Sequence, residues 1–186
     1  SPAGVDTIDY VEISSTGNAI DFGNSIEARN GGDGGAASPT RICQAGGNNP
    51  SAITRIDFVN PQTTGDSVDF GDMQAARHTF ATGSNSTRGM IGGGRTPDVS
   101  SGINTIDFVT IATAGNAQNF GDLTQARSGC DGVSSPTRFV IGGGYNPGNV
   151  NTIDYVEITT TGDAVDFGDL TYNRNRSGSC SNGHGG

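Results

Sequence analysis

One pattern recurs four times along the 186 residues and limits what the chain can become. Thr7-Ile8-Asp9-Tyr10-Val11 returns as Arg55-Ile56-Asp57-Phe58-Val59, as Thr105-Ile106-Asp107-Phe108-Val109 and as Thr152-Ile153-Asp154-Tyr155-Val156. The aspartates are separated by 48, 50 and 47 residues. Phe22, Phe70, Phe120 and Phe167 keep the same intervals, and so do Arg29, Arg77, Arg127 and Arg174. Three markers in one rhythm define a structural repeat, and such units bury their apolar faces against their neighbours.

Each repeat reads as four short strands. Residues 151–158 alternate Ile153 and Tyr155 on one face with Asp154 and Val156 on the other, a strand signal. Gly17-Asn18, Gly65-Asp66, Gly115-Asn116 and Gly162-Asp163 follow at fixed distance and are expected at the tips of tight hairpins. A second strand, Ala164-Val165-Asp166-Phe167 in the last repeat, is expected to break at Gly168. A link ending in arginine comes next, then a weak Gly- and Ser-rich strand such as 128–133. The most apolar strand follows, as in Thr137-Arg138-Phe139-Val140-Ile141, and ends in glycines at 46–47, 92–94 and 142–144. Loops of varied sequence, 48–54, 95–104 and 145–151, separate it from the next repeat.

Composition agrees with an all-β chain. All ten basic residues are arginine, 16 of the 19 acids are aspartate, and there are 31 glycines. Turn formers are thus abundant and helix formers scarce. The net charge of −9 argues against nucleic-acid and anionic-membrane partners, which call for clustered positive charge. No run of about 18 apolar residues is present to span a membrane as a helix. Ser1-Pro2-Ala3-Gly4 lacks the charged-then-apolar pattern of a signal peptide. Cys43, Cys130 and Cys180 fall at different offsets within their repeats and read as ordinary free thiols.

The repeated residues resemble the kelch repeat. Gly93-Gly94 and Gly143-Gly144 match its glycine pair, Tyr155 and its equivalents match its aromatic position, and Phe167 stands where that family has tryptophan. The resemblance implies a β-propeller, or a fragment of one, built of four-stranded blades around a central channel. A narrower likeness links the T-I-D-Y-V … D-F-G-D-L wording to kelch-like repeats of bacteriophage structural and tail-fibre proteins. In this frame residues 1–186 form one array. Blades are complete at about 29–71, 77–121 and 127–168, and partial at 1–28 and 169–186. Arginine and the following triple glycine lie 15 residues apart, which places another apolar strand beyond residue 186. The array is therefore expected to be part of a longer chain, or to be completed by other copies in an assembly. Ring closure and linear stacking both remain compatible with the repeat.

Charged residues recur once per repeat: Asp9, Asp57, Asp107 and Asp154; Arg29, Arg77, Arg127 and Arg174; Arg41, Arg88 and Arg138. They could form a ring for an anionic or glycan ligand. A residue present in every copy more often holds the copies together, with arginine forking onto carboxylates and carbonyls between blades. Ligand contacts are expected instead from the non-repeated loops, at Asn48, Asn49, Arg95, Asp98, Tyr145 and Asn146. No D-x-D-x-D-G calcium loop and no G-K-[ST] phosphate loop is present, and His78 and His184 are the only histidines. Neither metal nor cofactor nor catalytic residue is therefore expected. The leading expectation is a non-enzymatic structural or receptor- or glycan-binding component of a virion or extracellular appendage, meeting a protein or glycan surface. The alternatives are a secreted carbohydrate-active propeller enzyme and a kelch-type protein-binding adaptor.

Overall fold

The computed structural model describes residues 4–31 and 34–181, and these form fourteen strands and no helix. No helix among them is long and apolar enough to cross a membrane. The strands build four antiparallel sheets in chain order. The first holds β1 (Val5–Tyr10) and β2 (Ile20–Arg29). The second is the meander β3 (Gly35–Ala37), β4 (Ile42–Ala45), β5 (Arg55–Val59) and β6 (Val68–Asp72). The third is β7 (Ala81–Ser84), β8 (Arg88–Gly92), β9 (Ile103–Thr110) and β10 (Gln118–Arg127). The fourth is β11 (Asp131–Ser134), β12 (Arg138–Gly142), β13 (Val150–Glu157) and β14 (Val165–Arg174). The architecture is all-β and blade-like, with β3, β7 and β11 packed side by side at the inner edges.

Two expectations about the strands are corrected. The glycine of the D-F-G sequence does not end its strand. Asp154 faces Asp166 and Ile153 faces Gly168, so Phe167 is the extra residue of a β-bulge, and β14 continues to Arg174. The same skip occurs at Phe22, Phe70 and Phe120. Each bulge sets its phenylalanine edge-on to the aromatic residue across the strand pair. The ring centroids are 6.0 Å apart for Tyr10–Phe22, 5.9 Å for Phe58–Phe70, and 5.8 Å for both Phe108–Phe120 and Tyr155–Phe167.

The Gly-Asx pairs are not hairpin tips either. The turns close earlier, with Thr63 N donating to Asn60 O (3.2 Å), Thr113 N to Thr110 O (3.0 Å) and Thr160 N to Glu157 O (3.1 Å). Gly-Asx instead reaches backwards to the preceding sheet. Gly65, Gly115 and Gly162 donate to the carbonyls of Phe22, Phe70 and Phe120 at 2.7, 2.6 and 2.8 Å. Two residues on, Ser67, Ala117 and Ala164 donate to Asn24, Asp72 and Asp122. The intervening Asp66, Asn116 and Asp163 accept the amides of those same three residues on Oδ1. Unpaired backbone groups are costly once buried, so an extended segment beside a strand edge takes whatever partners that edge offers. Sequence position alone does not show that edge.

The core lies between sheets, as repeat packing requires. Phe70 and Met73 of the second sheet pack with Ile91, Val109, Ile111 and Ala117 of the third. Phe120 and Leu123 of the third pack with Ile141, Val156 and Ile158 of the fourth. Cys43 and Cys130 are buried free thiols in these layers, and Cys180 is exposed. Burial pushes the Cys43 thiol up to about 11 against the opposing pull of Arg41, and it raises Cys130 as well. A thiol reagent at neutral pH is therefore expected to modify one cysteine of three in the folded protein and all three in denaturant. Prompt modification of two or more in the native state would contradict this packing.

Candidate functional site

The repeated charges go to the interfaces between sheets. The guanidinium closing each outer strand inserts into the sheet that follows. Arg29 reaches Asp57 at 2.7 Å, Arg77 reaches Asp107 at 2.8 Å and Arg127 reaches Asp154 at 3.1 Å, all buried. Arg29 Nη1 also donates to Gly46 O (3.2 Å), Arg127 Nη2 to Ile141 O (3.2 Å), and Arg77 Nη1 to Gly93 O and Thr105 O, both at 3.0 Å. Burial disfavours charge on both members of the central pair, lowering Arg77 and raising Asp107, while each charge opposes the shift of the other. These groups are withdrawn from solvent and occupied by one another.

Arg41, Arg88 and Arg138 lie elsewhere. Their guanidiniums cover the aromatic faces of Phe58, Phe108 and Tyr155 at 4.5, 4.6 and 4.7 Å. Arg41 Nη1 and Arg88 Nη1 then donate to Ile111 O (2.9 Å) and Ile158 O (2.6 Å) of the next sheet. Arg138 instead holds Glu157 at 2.7 Å, half exposed. Asp9 and Arg174 are exposed.

Non-repeated residues converge at the opposite place, where the chain passes from each outer strand to the next inner one. The two residues after each arginine are Asn30-Gly31, His78-Thr79, Ser128-Gly129 and Asn175-Arg176. The second of each pair is left-handed in all four copies, with φ of 61°, 55°, 62° and 51°. Glycine supplies this freely in two; Thr79 and Arg176 adopt it against the clash of Cβ with backbone. A run of backbone bonds holds them, from Gly129 N to Thr79 O (2.7 Å) and from Arg176 N to Gly129 O (2.8 Å).

In the first three pairs the first residue bridges to the loop residue just after the glycines. Asn30 pairs with Asn48, His78 with Arg95 and Ser128 with Tyr145, each by two reciprocal backbone hydrogen bonds of 2.7–3.2 Å. Three loop positions chosen from sequence thus share one structural frame with His78, which sequence reasoning set aside.

These junctions border a cleft of about 1290 Å³. Asn30, Asn48, Asn49, His78, Asp131 and Arg176 are among its polar lining residues. Arg95 and Tyr145 line a neighbouring pocket of about 380 Å³ that shares Thr79, Gly129 and Arg176 with it. Asn146 is half-buried, its amide donating to Gly148 O at 2.8 Å, and Asp98 is exposed; neither lines these two pockets. His184 lies outside the described residues. Burial, then the charges of Arg95 and Arg176, hold His78 below the ordinary imidazole range, so it is neutral at pH 7. Burial raises Asp131, opposed by the Ser177 amide. Among the described residues no group of three or more His, Cys, Asp and Glu side chains could hold a metal ion.

Chemically the cleft offers amides, one neutral imidazole, one guanidinium and one carboxylate, which suits hydrogen bonding to a polyhydroxylated or weakly acidic ligand. The signal that could have found it was departure from the repeat directly after each repeated arginine. Compared with known proteins, the chain matches no protein-family model and no curated protein sequence.

Proposed function

We propose that the chain is a kelch-like propeller array acting as a non-enzymatic binding scaffold of a virion or other extracellular appendage, with this cleft as its glycan site. The observation that carries the reading is the division of labour among residues. Repeated side chains are consumed between sheets, whereas non-repeated ones at equivalent positions face a common cleft. Rigid scaffolds with variable junctions are how repeat folds present a binding surface. Thr79 and Arg176, held left-handed where two copies have glycine, add local strain of the kind that collects at ligand sites. The likeness to phage structural repeats supports the appendage setting, and the absence of lysine with a charge of −9 accords with it.

The test is binding to an immobilised panel of neutral and acidic oligosaccharides. Arg176→Ala and Asn49→Ala are expected to weaken the best ligand about tenfold each, the effect of about 1.4 kcal/mol. Asp98→Ala, away from the cleft, is expected to bind like the parent. Equal binding by all three variants, or hydrolysis of the ligand on the panel, would sink the reading.

A further inference from the structure

Arg95 and Arg176 stand apart from the arginines that hold the sheets together. Arg29, Arg55, Arg77, Arg127 and Arg138 grip carboxylates, and Arg41 and Arg88 donate to carbonyls of the next sheet. The guanidiniums of Arg95 and Arg176 make no ion pair or hydrogen bond among the described residues, in a chain of net charge −9. Both line the pocket of about 380 Å³ beside the cleft. Both also depress His78, after the effect of its burial, and among the described residues no carboxylate acts on it. Asp131, the carboxylate of the adjoining cleft, takes the Ser177 amide, and no arginine is among the groups acting on it. Two positive charges thus share one small volume without an answering acid, and an anion placed between them is favoured.

Backbone hydrogen bonds fix the walls of this pocket. His78 and Arg95 bond reciprocally at 3.0 and 2.8 Å, and Ser128 and Tyr145 at 3.2 and 2.7 Å. Gly129 N donates to Thr79 O at 2.7 Å, and Arg176 N to Gly129 O at 2.8 Å. A Cβ on Gly129 would lie 3.5 Å from Arg176 Cγ, which places the arginine side chain against that glycine. Ser100, Ser128 and Tyr145 add hydroxyl donors to the lining. Ser128 is the informative one. It is 6% exposed, yet its hydroxyl has no hydrogen-bond partner among the described residues. A buried hydroxyl without a partner is costly, and a ligand oxygen in the pocket supplies one.

We propose that this pocket binds one oxyanion group, a carboxylate or a sulfate, with Arg95 and Arg176 forking onto its oxygens and Ser128 donating a third contact. A guanidinium presents paired N–H donors in one plane, the geometry that such groups accept. The cleft next to it carries Asn48 and Asn49, whose amides suit the hydroxyls of the same ligand. The ligand is then an acidic glycan, with its charged group in the small pocket and its neutral rings in the cleft. That the carrier is a sugar rests on the glycan reading above; the anion site does not. Selectivity is set at one loop position, which holds Asn48, Arg95 and Tyr145 in successive repeats.

The experiment is titration of the full chain with sodium sulfate, against sodium chloride of equal ionic strength, followed by amide and guanidinium NMR signals. Sulfate is expected to shift Arg95, Ser128, Gly129 and Arg176 saturably. Arg95→Gln and Arg176→Gln are each expected to weaken sulfate about tenfold. Both arginines are exposed, so folding is not threatened. Arg138→Gln removes the same charge over Tyr155, outside the pocket, and is expected to change little. Bound sulfate offsets the arginine charges at His78, so that imidazole is expected to titrate at higher pH in sulfate than in chloride. Displacement of sulfate by glucuronate identifies a carboxylate carrier, and its failure a sulfated one. No saturable shift in the pocket, equal weakening by Arg138→Gln, an unmoved His78, or displacement by glucose overturns the proposal. If sulfate seats here but no oligosaccharide binds the chain, the glycan reading falls and the anion site stands. Neutral oligosaccharides bound with no sulfate here give the reverse.

Discussion

Replacing Arg77 with methionine is expected to lower the melting temperature by on the order of 10 °C. Its guanidinium is fully buried between the second and third sheets, with Asp107 at 2.8 Å and the carbonyls of Gly93 and Thr105 at 3.0 Å. Methionine fills much of the space but leaves the buried Asp107 carboxylate without its counter-charge. Removing one partner of a buried pair costs about 3–5 kcal/mol, most of it the stranded charge. A domain of this size loses about 2–4 °C per kcal/mol. Asp107→Asn is expected to cost a similar amount by stranding the guanidinium. The double variant Arg77→Met with Asp107→Leu is expected to recover part of the loss, since apolar packing often substitutes for such a pair. Arg174→Met supplies the contrast. It alters the same position of the repeat, but Arg174 is exposed, and the change is expected to fall within about 0.5 kcal/mol in a dilute monomer. Thermal denaturation of the four proteins decides the matter. Equal shifts for Arg77→Met and Arg174→Met would mean that the buried network contributes nothing.

The strands were legible because their signals are local. Alternation around Ile153 and Tyr155, and the apolar stretch before each glycine run, mark segments whose character depends only on neighbours in sequence. Which arginine meets which aspartate was not legible. Arg138 and Asp154 recur in the same repeat, yet Asp154 takes Arg127 from the sheet before, and Arg138 lies over Tyr155. Pairing across an interface depends on how one sheet is placed on another, and that placement follows from the bulges and clasps. The clasp itself looked like a hairpin tip because Gly-Asx satisfies both roles by the same chemistry, a flexible φ and a side-chain acceptor. The cleft was half legible. Asn48, Asn49, Arg95 and Tyr145 stood out as loop residues. His78 and Arg176 were obscured because they lie one and two residues after repeated arginines and look like part of a structural link. The fold brings the two groups together through the paired backbone bridges.

Gly71→Ala is expected to be among the most damaging single methyl additions in the chain. Gly71 lies at the bulge of β6 with φ of 144°, a conformation L side chains rarely adopt, at a cost of order 1–3 kcal/mol. Its added Cβ would also meet Gly115 O at 2.5 Å and Gly115 C at 2.6 Å. That carbonyl cannot yield cheaply. The flanking residues are locked by Gly115 N to Phe70 O (2.6 Å), Ala117 N to Asp72 O (2.8 Å) and Asp72 N to Asn116 Oδ1 (3.1 Å). Forcing the sheets apart adds about 1–3 kcal/mol more, the usual range for overpacking. Gly168 repeats the position with φ of 137° and, among the described residues, nothing within 4 Å. Gly168→Ala therefore carries the dihedral cost alone. Chemical denaturation of both variants measures the difference, and equal losses would show that close approach between sheets is not what glycine serves.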